Sequence, residues 1–264
     1  MPTDEHGASS PNNIITLPEL NAISEHYGRE FIPYPFFYNT LSPHPTMAEE
    51  IDYRNSVLTR YKLGELPFFR EWFDSYLKAD IWVEARLHCA ATDTTSLVMT
   101  HRTGNSGYFS IQRHGDNFIE ARSISPYDIG PAIARVAQFT KPGSRQAINL
   151  PGDIPVERSF IEAEDPQSVS VSVSKEPDRP DITYVDARTP AAGMAQSHWQ
   201  PSRRWGYDAE KPFVKWATVA ADGDYISTRD LSHWTPMTSE VLTRRIDELI
   251  ASDVRAVRAA RGID

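Results

Sequence analysis

The chain has 264 residues, 36 Asp and Glu against 27 Lys and Arg, a formal net charge of −9 and one cysteine. A chain of this length forms one large domain or two small ones and buries a sizeable core without covalent staples; its 40 % hydrophobic and 11 % aromatic content excludes general disorder. The lone Cys89 rules out an internal disulfide. The acidic balance, with no basic run longer than Arg203-Arg204 or Arg244-Arg245, argues against nucleic acid as a partner, and no apolar run reaches the roughly 18–20 residues that span a bilayer.

Residues 1–13 read as a polar tail of Ser, Pro, Asn and Gly with no apolar signal segment, so the chain is expected to be cytoplasmic. Thr16 and Glu19 then stand at capping-box spacing with Pro18 in the first turn, and Leu17, Leu20, Ile23 and Tyr27 stripe a short helix that Gly28 can end. The prolines of Ile32-Pro33-Tyr34-Pro35-Phe36-Phe37-Tyr38 forbid a helix, and the segment is expected to lie extended with its rings in a groove. Thr46 and Glu49 repeat the capping box for a helix carrying Met47, Ile51, Leu58 and Tyr61 up to Gly64. From Leu66, the set Phe69, Trp72, Phe73, Tyr76 and Leu77 gives a second helix and an αα-hairpin.

The period then changes to two. Ile81, Val83, Ala85, Leu87 and Cys89 alternate with Trp82, Glu84, Arg86 and His88, which predicts a strand with one buried face and Cys89 inward in the core. Asp93-Thr94 turns the chain into a strand over 96–102, Gly104-Asn105-Ser106-Gly107 is a hairpin turn, and strands over 108–113 and 117–124 flank Gly115-Asp116. Ser125-Pro126-Tyr127-Asp128 reads as the start of a helix lined by Ile129, Ile133 and Val136 that stops before Lys141-Pro142-Gly143. Residues 150–195 read as a loop-rich connection with one Ser/Val-alternating strand over 168–174. Strands over 212–220 and 225–231 flank the turn Ala221-Asp222-Gly223-Asp224; Trp234-Thr235-Pro236 leads to a long helix over 238–261 striped by Leu242, Ile246, Leu249, Ile250, Val254 and Val257.

The order strand, Gly/Asp turn, strand, Ser/Thr-Pro step, helix occurs twice. The offset is 108 residues between Gly115 and Gly223 and 110 between Pro126 and Pro236. A near-constant offset points to two copies of one unit, residues 14–149 and 150–264, in one pseudo-twofold α/β body; chance recurrence of a common order is the alternative.

The chemistry-bearing residues form no catalytic, cofactor or metal constellation. There is no C-x-x-C, H-E-x-x-H, P-loop or G-x-G-x-x-G. His88 and Cys89 are strand neighbours on opposite faces and cannot act as a base–nucleophile pair. Glu49-Glu50 lie in a helix's first turn and Asp222 and Asp224 in a hairpin turn, places that favour acids for structural reasons. The loop-like segment 197–206 concentrates Trp199, Trp205, Arg203 and Arg204, either a recognition surface or an anchored hairpin. The chain reads as a binding protein.

Four stretches carry a family resemblance: the entry helix and proline–aromatic turn over 17–37; Phe69-Arg70-Glu71-Trp72 with Ala79-Asp80-Ile81-Trp82-Val83-Glu84-Ala85-Arg86; His101-Arg102 with Gly107-Tyr108-Phe109-Ser110-Ile111-Gln112-Arg113; and Ile124-Ser125-Pro126-Tyr127-Asp128-Ile129-Gly130. In these, and by pattern over 194–261, the chain resembles the EspG family of type VII (ESX) secretion-associated proteins of actinobacteria. The resemblance implies an α/β (α+β) quasi-twofold fold of two antiparallel-sheet-plus-helix halves with N-terminal helices and a long C-terminal helix. It implies a cytosolic chaperone without cofactor or membrane insertion, which covers the apolar tip of a PPE-like helical-hairpin substrate and keeps it soluble. The family's partner-binding loop between the first two meander strands maps onto Ala91, Thr92, Asp93, Thr94 and Thr95, and is short in this sequence. A structural or regulatory protein of the same fold without secretion cargo, or an enzyme with an unrecognised site, are the alternatives.

Overall fold

A computed structural model describes residues 13–38, 44, 46–150, 183–184, 189–199, 208 and 210–262. In chain order its elements are β1 (Ile14–Thr16), α1 (Leu17–His26), α2 (Met47–Leu63), α3 (Pro67–Leu77), β2 (Ile81–Cys89), β3 (Thr94–Thr103), β4 (Ser106–Gln112), β5 (Phe118–Ile124), α4 (Ile129–Val136), β6 (Ile148–Asn149), β7 (Thr183–Tyr184), β8 (Ala191–Trp199), β9 (Phe213–Val219), β10 (Gly223–Ser227), β11 (Trp234–Pro236) and α5 (Ser239–Ala260). The fold is α+β, with strands paired almost throughout in antiparallel fashion. The expected tail up to residue 12, the strand over 168–174 and residues 200–207 lie outside the described residues. The described residues divide into two units that interleave along the chain. One lies within Met1–Trp82, Leu97–Ile129 and His198–Gly206, the other within Val83–Ser96, Gly130–Ser197 and Tyr207–Asp264.

In the first unit the strand order is β1-β5-β4-β3. Both capping boxes form: the Thr16 and Thr46 hydroxyls accept from the backbone N–H of Glu19 and Glu49, and each Glu returns the bond to its cap's backbone. These reciprocal bonds satisfy helix-start donors that packing alone would leave open. The α1 stripe Leu17, Leu20 and Ile23 is fully buried, and Arg60 and Arg54 of α2 reach Glu19 and Glu25 of α1 at 2.9 and 2.8 Å. Helix α2 ends at Gly64 in the left-handed region (φ 83°) as expected. Its apolar face differs from expectation: only Val57 and Tyr61 are deeply buried hydrophobics, while Met47 and Ile51 are exposed. The buried apolar contacts of the helix come from its C-terminal half, while its first turns meet their neighbours through Tyr53, which packs on His44 at 4.5 Å, and Arg54.

Helix α3 buries Phe69, Trp72 and Phe73 as the periodicity requires. The indole N–H of Trp72 donates to Ser110 Oγ on β4 at 2.8 Å, and Thr103 Oγ1 donates to the Ser75 carbonyl at 2.7 Å. The proline–aromatic segment turns where an extended run was expected: Phe36 N–H bonds to the Pro33 carbonyl, burying Tyr34 and Phe36 and leaving Phe37 and Tyr38 outside. The buried Gln112 amide clamps it, accepting from Phe37 N–H at 3.1 Å and donating to its carbonyl at 2.8 Å. Ser125 does not cap α4. Its hydroxyl accepts from Tyr127 N–H and its carbonyl from Asp128 N–H, a closed turn that delays the helix to Ile129.

In the second unit the order is β2-β8-β9-β10-β11-β6-β7. Strand β2 matches its predicted bounds but is buried on both faces from Ile81 to Arg86, so Glu84 and Arg86 are interior as well as Val83 and Ala85. The one-sided expectation fails because both sides of the strand are covered. Strand β8 occupies what read as loop: nine residues, seven of them buried, pairing with β9. Its Ala, Gly, Gln and Ser content carries little strand propensity. Small residues are needed there because the Trp216 ring lies across Gly193, where a Cβ would stand 2.3 Å from it. Strand β10 stops at Ser227, short of the predicted 231, and Trp234–Pro236 forms a short strand on it where a helix lead-in was expected. The α5 N-cap is Thr238, whose hydroxyl accepts from Val241 N–H.

The β9–β10 turn acids are structural. The buried Asp224 carboxylate accepts from Thr140 N–H at 2.7 Å, from Thr140 Oγ1 at 3.1 Å and from Thr218 Oγ1 at 2.6 Å. Asp222 accepts from Ser144 N–H, Ser144 Oγ and Tyr225 OH at 2.9, 2.7 and 2.7 Å. Together they clamp the chain that leaves α4. Helix α5 buries Leu242, Ile246, Ile250 and Val257, and its buried Asp253 pairs with Lys211 at 2.7 Å.

Two predictions follow from this packing. Gly193→Ala forces a methyl into the Trp216 ring and lowers unfolding free energy by about 1–3 kcal/mol, read as a lower urea midpoint; an unchanged midpoint contradicts the close approach. The Ser144 hydroxyl, ahead of Tyr225 OH and the Ser144 amide, holds the Asp222 carboxyl down to about 2. Its unfolded value is about 3.9, so its contribution is complete above that pH and is lost as pH falls toward 2. Asp222→Asn therefore flattens the acid limb of the stability profile between about pH 4 and 2.

Candidate functional site

The five residues assigned to partner binding all lie at the β2–β3 tip. Ala91, Thr92 and Asp93 are exposed, and Thr94 and Thr95 open β3 half-buried. The tip is short and held at several points. Asp93 takes a left-handed conformation (φ 50°), which its short polar side chain tolerates. The Thr92 and Thr94 hydroxyls bond each other at 2.7 Å, His88 Nδ1 meets Thr95 Oγ1 at 3.3 Å, and Ala90 N–H donates to the Pro190 carbonyl at 2.8 Å. The tip thus offers methyl groups, hydroxyl oxygens and one carboxylate on a stiff hairpin, and no cation.

Cys89 is not the core residue expected from the alternation. It ends β2 half-buried, and the Thr92 hydroxyl, then the backbone N–H groups of Thr92 and Ala91, lower its thiol below the usual value. Strand periodicity could not reveal this, because the stabilising groups come from the turn. His88 engages Thr95 across the hairpin, so the adjacent Cys and His do not serve one another. Of the segment 197–206, Ser197, His198 and Trp199 belong to β8 rather than to a loop, and His198 stacks on Trp82 at 4.1 Å.

A second surface feature went unassigned at the level of sequence. Ser239, Glu240, Thr243, Arg244, Asp247, Glu248 and Ala251 line an open groove along one face of α5, where Gly130 of α4 approaches Thr243 and Asp247. Its charges are largely internal: Glu248 meets Arg229 at 2.9 Å and Arg245 at 3.5 Å, and partial burial raises the Asp247 carboxyl. The only signal in the sequence is the polar stripe of the helix, which any solvated face would carry. Among the described residues no group of three or more His, Cys, Asp or Glu could hold a metal ion, and no helix is long and apolar enough to cross a membrane.

No family model and no curated protein matches the sequence. Among solved structures the chain is similar to one in the complex of the Mycobacterium tuberculosis type VII secretion system chaperone EspG5 with the PE25–PPE41 dimer, with 11 % identity, a TM-score of 0.43, and coverage of 90 % of this chain and 95 % of that one.

The tip geometry makes one direct chemical prediction. Thr92→Val removes the hydroxyl bond that stabilises the Cys89 thiolate, so iodoacetamide alkylation at neutral pH slows several-fold and its pH midpoint rises. An unchanged midpoint contradicts the assigned contact.

Proposed function

We propose that this chain is a cytosolic adaptor chaperone of type VII secretion that holds the apolar tip of a PPE-like helical-hairpin substrate, with Ala91, Thr92, Asp93, Thr94 and Thr95 as the partner-binding segment. The observation that carries this reading is the β2–β3 tip. It is stiff, it projects Thr92 and Asp93 into solvent, and Thr and Asp are the residue types that satisfy the open N–H groups of a helix start. A carboxylate there also matches the positive end of an incoming helix. The resemblance of residues 69–86, 101–113 and 124–130 to the EspG family supplies the partner class. An exposed apolar helix tip is an aggregation liability, and covering it is a sufficient reason for such an adaptor to exist. The same proposal takes 14–149 and 150–264 as copies of one unit, supported by the recurring strand–turn–strand order around Gly115 and Gly223.

The test is capture from the native host with a tagged chain, followed by mass spectrometry. The wild-type chain is expected to retain a helical-hairpin secretion substrate, and Ala91→Lys, which puts a cation on the exposed tip at a residue of ordinary backbone conformation, to reduce its recovery at least tenfold while the unfolding free energy changes by no more than about 0.5 kcal/mol, as for an ordinary surface change. Undiminished recovery removes the tip from the interface. Absence of any helical substrate removes the chaperone reading.

A further inference from the structure

The first unit encloses a titratable group that no binding role uses. His101 on β3 is fully buried. Its ring meets Trp72 edge-on at 5.0 Å and Tyr76 at 5.8 Å, both from α3, and stacks on Tyr108 of β4 at 5.2 Å. Among the described residues neither ring nitrogen has a hydrogen-bond partner of ordinary geometry. We propose that His101 makes the seating of α3 on the β3–β4 sheet an acid-releasable contact, a pH-sensitive device built into the first unit.

The charged and titratable groups around the box do not rescue a cation. From α3, burial pushes the Tyr76 phenol up to about 12, with Arg29 the lone cation acting on it. Glu71 and Asp74 act on Tyr108, whose phenol is raised mainly by burial. On β3 the neighbouring Arg102 is engaged with the Pro126 carbonyl at 3.3 Å. Stacking on Tyr108 offers an imidazolium some compensation, and the Trp72 backbone favours a proton, but burial outweighs it and pushes His101 down to about 3.

The sign is fixed by linkage. In a loosened chain the imidazole titrates near its ordinary value of about 6.5. A base whose folded value is lowered gives its full contribution above about pH 6.5. Below that, the loosened state takes up a proton that the seated state refuses. Each pH unit toward 3 costs up to about tenfold in the seated-to-loosened equilibrium. Release uncovers Phe69, Trp72 and Phe73, which are fully or almost fully buried when α3 is seated.

Two measurements on the full chain decide the matter. Urea unfolding at pH 7.0 and 5.0 is compared for wild type, His101→Phe and His101→Gln. The wild type is expected to lose up to about twenty-five-fold more of its folding equilibrium constant over this interval than either variant, the difference cancelling the other seven histidines and the carboxylates. Equal pH dependence in wild type and variants overturns the proposal. If neither variant folds, the imidazole C–H resonances of the native wild type decide alone: His101 is expected to show no titration between pH 7.5 and 5, and a native midpoint near 6.5 overturns the proposal.

Discussion

The hydrogen bond from the Trp72 indole to Ser110 Oγ, 2.8 Å long, sets the arrangement of the first unit. Trp72 is among the largest fully buried side chains, and an indole N–H in such a place must find an acceptor or lose about 1–3 kcal/mol. One acceptor at one position on β4 fixes both the height and the rotation of α3. With Trp72 so placed, helical spacing sends Phe69 and Phe73 inward beside it, and the His101 ring closes against its edge. The second unit has its own polar anchor in Asp222 and Asp224, which collect five hydrogen bonds from Thr140, Ser144 and Thr218 and one from Tyr225. Each unit thus joins helix-bearing chain to its strands through a few directional contacts set among nonspecific apolar ones.

What could be read before the structure was the part that is local. Thr16–Glu19 and Thr46–Glu49 carry their capping chemistry within four residues, and both boxes form. The hairpin turns at Gly104, Gly115 and Gly223 are written in residues that take positive φ, so the strands on either side followed. The failures are where a neighbour distant in sequence decides. Strand β8 is an unpromising run of Ala, Gly, Gln and Ser that forms because β9 pairs with it and Trp216 lies over Gly193. Glu84 and Arg86 looked solvent-facing because alternation reports one polar side, not whether another layer covers it. Ser125-Pro126 has the composition of a helix start, but a closed turn competes for the same hydroxyl.

The candidate site was legible as a turn and not as a chemical environment. Asp93-Thr94 marks the hairpin. The contacts that stiffen it, Thr92 with Thr94 and Ala90 with Pro190, could not be placed without the fold, and neither could the Thr92 hydroxyl beside Cys89. The acidic, hydroxyl-bearing tip stands on a strand whose Val83–Arg86 stretch is buried on both faces. A rigid base limits the ordering entropy that a flexible loop would lose on gripping a helix end, which favours binding by a small surface.

The central claim is that the β2–β3 tip meets the helical partner. Hydrogen–deuterium exchange on the chain alone and on its complex purified from the native host addresses this directly. Protection of the backbone amides over residues 89–95, larger than the change along α5, is the predicted result. Equal exchange at 89–95 with and without the bound partner would contradict the account.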